Sequence, residues 1–260
     1  MPVQDVLASG SGALVGFVLG LIGGGGSILA VPLLVYVVGV RSPHLAIGTS
    51  AVAVAVSALA NLAGHARADH VKWRCALVFA AAGVTGALLG STFGKHFDGE
   101  KLLVLFGALM IVIAALMFWK GNDSGNVDVR LTRATATQLM PRLLTYGAGV
   151  GALSGFFGIG GGFLVVPGII AATDMPLIFA IGSSLVSVSA FGLATAGNYA
   201  LSGLIDWMLV AFFIGGGVVG GLAGRLLAER LAEEKQTLSR IFAAIVAIVG
   251  AYVVWRGVAV

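Results

Sequence analysis

Long runs without a single Asp, Glu, Lys or Arg constrain this chain more than any other feature. They occupy 6–40, 42–66, 75–94, 102–119, 143–173, 175–205, 207–224 and 241–255, and only Arg256 interrupts the last on its way to Val260. An apolar run of about 18 residues or more is long enough to cross a hydrocarbon core of roughly 30 Å as a helix. Water is a poor solvent for such a chain: 10% of its residues are charged and its mean hydropathy is +1.04, against about 25% charged residues in soluble domains. Strand-length segments of alternating polarity are missing from the sequence, which argues against a membrane barrel and leaves helices as the spanning element. The expected fold class is an all-α polytopic membrane protein.

Several function classes lose ground on residue chemistry. The single cysteine, Cys75, excludes an internal disulfide framework and a multi-thiolate metal site. The sequence has no HExxH, no pair of intramembrane aspartates and no histidine cluster, so neither a metal nor another cofactor is expected, and an enzyme is not. Ser154 in GALSGFFG has no histidine partner and reads as helix packing, and GIGGG follows no strand that would make it a dinucleotide site. The net charge of +4 fits loops facing an anionic leaflet rather than a nucleic-acid partner. Residues 1–30 lack a basic leader and a cleavage site, and read as mature protein.

The chain is a duplication. GLIGGGGSILAVP at 20–32 is repeated as GFFGIGGGFLVVP at 155–167. At a constant offset of 135, Gly16, Gly20, Gly23, Gly25, Gly26, Leu29, Val31 and Pro32 fall on Gly151, Gly155, Gly158, Gly160, Gly161, Leu164, Val166 and Pro167. One residue fewer in the second copy then aligns AIGTS at 46–50 with AIGSS at 180–184, Lys72-Trp73 with Asp206-Trp207, and Gly86 and Gly90 with Gly220 and Gly224. The repeats are 1–119 and 143–260, joined by the polar stretch 120–142.

Each repeat has four apolar segments, and the first is peculiar. As one helix, 9–39 would be about 46 Å long at 1.5 Å per residue, too long for the membrane without strong tilt. It is interrupted by Gly23, Gly24, Gly25 and Gly26, each costing about 1 kcal/mol in a helix. The expectation is a re-entrant hairpin of two half-length helices, about 10–22 and 27 or 32–39, followed by three spanning helices. With inverted halves, the cytoplasmic loops 66–74, 120–142 and 225–240 hold Arg67, Lys72, Arg74, Lys120, Arg130, Arg133, Arg142, Arg225, Arg230, Lys235 and Arg240, eleven of the fifteen basic residues. Parallel halves split them eight against seven, so the positive-inside rule favours inversion.

No ionisable carrier lies within the charge-free runs, so an intramembrane substrate must be met by backbone and neutral groups. A half-helix that starts inside the membrane aims unpaired amides at its tip, carries roughly half a positive charge there, and with glycine admits a ligand to the backbone. The candidates are Gly25, Gly26, Ser27 and Ile28, with Gly160, Gly161, Gly162 and Phe163. Pro32 and Pro167 leave open where each second half-helix begins. Glycines spaced by four at 12, 16, 20 and 24, at 147, 151 and 155, and at 216, 220 and 224 read instead as close helix packing.

Further polar candidates are Thr49, Ser50, Ser183 and Ser184, whose hydroxyls contact either substrate or their own helix backbone, and Asn61 and Asn198. Ser57, Ser187 and Thr195 are further polar groups on the same segments. His65, one turn from Asn61, is the candidate for proton coupling, against the blander reading of an interfacial histidine. His70 and His96 are expected in solvated loops.

The twice-repeated G-x-G-G-G/S-x-x-x-x-P block, each copy followed by A-I-G-T/S-S and by a charged residue before tryptophan, resembles the TauE/SafE sulfite exporter family of bacterial membrane transporters. The likeness spans nearly the whole chain. It implies movement of sulfite or organosulfonates, mainly outward across the inner membrane, with other members linked to uptake of sulfur compounds. The first copy departs at Ser27, where the second has Gly162, and at Gly24, where it has Ile159. The resulting expectation is a secondary transporter for a small sulfur anion, with the two repeats rocking around opposed hairpin tips. A passive anion channel and an uptake permease stay open beside it.

Overall fold

The computed structural model describes residues 2–22, 24–119, 129, 131–132, 135–158, 162–230 and 235–258. Among these the helices are α1 (Pro2–Ile22), α2 (Ala30–Pro32), α3 (Pro43–Arg67), α4 (Trp73–His96), α5 (Gly99–Trp119), α6 (Ala136–Phe157), α7 (Gly162–Thr173), α8 (Leu177–Ala200), α9 (Trp207–Arg230) and α10 (Lys235–Val258). A 3-10 turn, Gly24–Leu29, precedes α2, and a π turn, Leu33–Val37, follows it. Six helices, α1, α3, α4, α5, α8 and α9, are long and apolar enough to cross a membrane, and shorter apolar stretches lie at Gly26–Val37, Gly162–Thr173 and Ala243–Val258. The chain is an all-α, multi-pass membrane protein.

Both glycine blocks interrupt their helices. α1 stops at Ile22, and α6 stops at Phe157, where Gly158 takes a left-handed φ of 67° as C-cap and its N–H donates to the Gly155 carbonyl at 3.1 Å. A side chain at Gly158 would also strike Ile47 of α3. Beyond the first break the chain returns to its end of entry: Gln4 Nε2, in the first turns of α1, donates to the Val38 carbonyl at 3.3 Å.

Four features differ from expectation. α1 is not a half-helix from residue 10; its 21 residues start at Pro2 and extend about 31 Å at 1.5 Å per residue. Counting from the last charge misplaced its start, because Asp5 sits in the first turn, where it complements the positive end of the helix, and Pro2 needs no intrahelical N–H partner there. α6 likewise begins at Ala136, within the polar stretch. Pro167 does not open the second leg but lies inside α7, whose start is Gly162. His96 is the exposed last residue of α4 rather than a loop residue, and His70, in the α3–α4 loop, is half-buried with its ring 6.2 Å from that of Phe179.

Two glycine seams organise the bundle. Gly12, Gly16 and Gly20 of α1 meet Phe213, Gly217 and Gly221 of α9, so residue numbers rise together and these helices run parallel. Gly147, Gly151 and Gly155 of α6 meet Phe79, Gly83 and Ala87 of α4 in the same sense. From the α9 side, Gly216, Gly220 and Gly224 abut Ser9, Ala13 and Phe17. Backbones approach so closely that a Cβ on Gly16 would lie 2.7 Å from the Gly217 carbonyl carbon. Small residues permit this contact, the main source of packing energy between helices that gain nothing from leaving lipid. The matching helices α3 and α8 run antiparallel: Gly48 near the start of α3 lies against Tyr199 and Leu204, and Gly192 against Ala51 and Ala55. α5 and α10 do too, since Gly107 meets Gly250 while Gly257 meets Val104.

Candidate functional site

The second legs of the two broken segments meet. The 3-10 turn packs against α1, α7 and α8, and α7 packs in addition against α6. Gly26 admits no side chain, because a Cβ there would lie 2.8 Å from the Val15 carbonyl oxygen of α1. Ser27 and Ile28 are fully buried, as Gly162 and Phe163 nearly are, and Gly25 lies in the 3-10 turn. Gly160 and Gly161 lie outside the described residues. The two legs are unlike. After the first break come a 3-10 turn, one α turn and a π turn, whereas α7 is a regular helix of 12 residues. Within α7, Pro167 has no N–H to offer the Phe163 carbonyl, so that oxygen loses its helical donor.

The hydroxyls singled out in the sequence have protein partners. Thr49 Oγ1 accepts from the Asp206 N–H at 3.0 Å, and Ser183 Oγ accepts from the Lys72 N–H at 2.9 Å. These bonds are counterparts under the repeat: each hydroxyl, near the start of α3 or α8, holds the N-terminus of α9 or α4. Ser50 Oγ donates to the Ile47 carbonyl at 2.9 Å and Ser184 Oγ to that of Ile181 at 2.7 Å, again counterparts. All four side chains are fully buried.

Five buried hydroxyls among the described residues have none: those of Ser11, Ser154, Ser187, Thr195 and Tyr199. Ser154 on α6, with Ser187 and Thr195 on α8, are fully buried, and their oxygens lack a hydrogen-bond partner. These are two of the helices against which α7 packs. Burying a hydroxyl unpartnered costs about 1–3 kcal/mol, a penalty a bound ligand removes. Sequence reasoning set Ser154 aside as packing and named Ser187 and Thr195 only among the polar groups of their segment, because a hydroxyl with a backbone acceptor and one without it look alike in a sequence.

Asn61 and Asn198 belong to opposite ends of the bundle. Asn61 Nδ2 donates to the Ser57 carbonyl at 2.9 Å, and with Ser57, Gly217, Gly221 and Arg225 it lines a cavity of about 50 Å³ between α3 and α9. Arg225 lies on Gly64 there, and His65 one residue on is half-buried, its ring 5.9 Å from that of His70 and its Nδ1 without a partner. Asn198, at the far end of α8, donates through Nδ2 to Ser91 Oγ at 2.6 Å and Thr92 Oγ1 at 3.0 Å. Among the described residues no three His, Cys, Asp or Glu side chains gather as metal ligands would, and Cys75 is buried.

The chain matches the family model described as "Sulfite exporter TauE/SafE" over residues 8–253. It is 52% identical to a "Probable membrane transporter protein" of Xylella fastidiosa (strain Temecula1 / ATCC 700964), covering 98% of this chain and 97% of that one. It is 25% identical to the "Probable membrane transporter protein YunE" of Bacillus subtilis (strain 168), over 95% and 96% of the two chains. The "Probable membrane transporter protein MJ0441" of Methanocaldococcus jannaschii is 28% identical over 75% of this chain and 70% of its own. No solved structure matches. A match across nearly the entire bundle, both broken segments included, places this chain in the TauE/SafE sulfite exporter family of membrane transporters.

Proposed function

We propose that the chain is a secondary transporter that exports a small sulfur oxyanion or organosulfonate across the bacterial inner membrane, and that it is not an enzyme. The observation that carries this reading is the pair of helix breaks at matching positions of a duplicated chain, with their second legs packed on one another. Amides at the start of α7 and along the 3-10 turn supply the donors an oxyanion requires, and Gly25, Gly26, Ser27, Ile28, Gly160, Gly161, Gly162 and Phe163 form this site. Ser154, Ser187 and Thr195 add hydroxyl donors, while Thr49 and Ser183 hold the surrounding helices and Ser50 and Ser184 bond their own helix backbone. Repeats 1–119 and 143–260 are inverted in this reading, supported by the opposed directions of α3 and α8 and of α5 and α10.

The moving bodies differ from the repeats. Rocking one repeat against the other would pull apart both glycine seams, each of which joins a helix of one repeat to a helix of the other. Alternating access instead shifts the α1–α9 pair relative to the α4–α6 pair, with the hairpin legs between them. Asn61 and Asn198 then line opposite approaches, and His65 is the side chain available for proton coupling.

Sulfite flux in proteoliposomes tests the reading. A carrier gives saturable flux that accelerates with sulfite on the trans side; single-channel currents or non-saturating flux would overturn it in favour of a channel. Gly26→Val is a poor probe of the amides, since it strikes α1 whether or not an anion binds. Ser154→Ala is a cleaner one. It is expected to leave stability unchanged or raised and to raise the KM for sulfite about fivefold or more, the loss of one hydrogen bond of roughly 1 kcal/mol or above; an unchanged KM removes Ser154 from the site.

A further inference from the structure

At the end of the bundle where α3 begins and α4 and α8 finish, a cation is held only by neutral groups. Lys95, half-buried in the last turn of α4, donates to the Asn198 carbonyl at 3.1 Å, to Asn198 Oδ1 at 2.8 Å and to Ser202 Oγ at 2.8 Å. Among the described residues no carboxylate accepts from it. The acid nearest in sequence, Asp98, is engaged elsewhere, accepting from the N–H groups of Glu100 and Lys101, both at 3.0 Å, at the start of α5. Asn198 is oriented for the task, because its Nδ2 is spent on Ser91 and Thr92 and its oxygen faces the ammonium. Beside the ammonium, 6.0 Å from it, lies the ring of Tyr199, which is fully buried and whose hydroxyl has no partner.

An ammonium surrounded by dipoles but given no counter-charge retains an outward positive field, strengthened where water is partly excluded. Its hydrogen bond to an anion is roughly twice as strong as one between neutral groups. Ser202 is exposed at the rim, so its hydroxyl is the ligand an entering anion displaces, while Asn198 keeps the lysine aimed. Lysine is a compact point charge without the planar fork of arginine, so it selects for charge and small size rather than for a bidentate shape. We propose that Lys95, positioned by Asn198 and gated by Ser202, is an anion-binding subsite at this mouth, where the small oxyanion is received or released. The subsite rests on the transport reading above, and the end of α4 that carries it abuts Phe156, just before the second break.

A lysine that merely ties α4 to α8 gives a different pattern from one that binds cargo. With sulfite as the probe in proteoliposomes, Lys95→Gln is expected to raise KM about tenfold to a hundredfold, as loss of a charge-assisted bond does, with maximal flux changed less than twofold and KM restored by Lys95→Arg. An unchanged KM, or a fall in maximal flux alone, overturns the subsite. Ser202→Asp keeps the α4–α8 tie and, at an exposed position, the fold, but supplies a resident carboxylate; it is expected to raise KM at least tenfold, and an unaltered KM again overturns the proposal. Absence of saturable flux in the wild type would sink the transport reading instead. Calorimetric titration of sulfite into the full-length protein in detergent then decides the subsite: binding that weakens in Ser202→Asp upholds it, and equal or absent binding overturns it.

Discussion

Replacing Gly16 with alanine should be among the most damaging single-methyl additions possible in this molecule, while the same change at Gly10, in the same helix, should be harmless. A Cβ on Gly16 would lie 2.7 Å from both the carbonyl carbon and the Cα of Gly217, with that carbonyl oxygen closer still. Reaching the roughly 3.5 Å at which carbons attract requires α1 and α9 to separate by at least about 0.8 Å. The obstacle is backbone, which has no rotamer to give. The close contacts along the seam thin together, and the cost belongs at or above the top of the roughly 1–3 kcal/mol range for overpacked cores. Gly10 has nothing within 4 Å of its would-be Cβ, so alanine there gains helix propensity, up to about 1 kcal/mol. At about 2–4 °C per kcal/mol for a chain near this size, Gly16→Ala is expected to lower the melting temperature in detergent by about 6 °C or more and Gly10→Ala to leave it level or raise it. Gly151→Ala and Gly149→Ala repeat the contrast in α6, where Gly151 abuts Gly83 and Gly149 meets nothing. Equal shifts within either pair would refute the assignment of these glycines to seams.

Thr49→Val and Ser183→Ala each remove the acceptor for the first N–H of a helix in the other repeat; each should cost about 1 kcal/mol by thermal denaturation, and no loss in either would mean that water or another group replaces the bond. The N–H of Lys101, then that of Glu100, holds the exposed Asp98 carboxyl below its ordinary value of 3.8. A depressed folded-state value means the cap is present above the unfolded pKa and lost as pH falls through the folded one, so amide exchange at Glu100 and Lys101 should accelerate below about pH 4 once corrected for intrinsic rates; pH-independent protection would exclude Asp98 as the cap. Tags at Asp174 and within 120–142 should report the cytoplasm and a tag within 200–206 the exterior; a cytoplasmic 200–206 loop would mean parallel repeats.

The duplication, the interruptions at the glycine blocks and the spacing of the seam glycines were legible because each is written in residue type alone: a methyl group at Gly16 or Gly151 has nowhere to go, and the blocks after Ile22 and Phe157 end their helices, although Gly215, Gly216 and Gly217 do not end α9. What glycines pack against was not legible. A small-residue stripe on α1 says that some backbone comes close, without saying that it belongs to α9. The hydroxyls fail for a related reason, since Thr49 finds its donor 157 residues away at Asp206, while the Ser187 hydroxyl on α8 finds none. The uneven second legs also escaped notice. Nothing in GGGGSILAVP distinguishes a 3-10 turn followed by a π turn from the regular helix that GFLVVP forms at 162–167. Lys95 was missed because a census of charge-free runs stops one residue before it.

The crossed seams dictate the order of biogenesis. Gly16 leaves the ribosome 201 positions ahead of Gly217, which at 5–20 residues per second is a wait of about 10–40 s. Until α9 is synthesised, α1 must sit in lipid, or against the insertion machinery, with its groove empty. Docking of α1 is therefore postponed until α9 emerges, and a ribosome stalled before α9 leaves an unmatched groove that quality-control proteases can recognise.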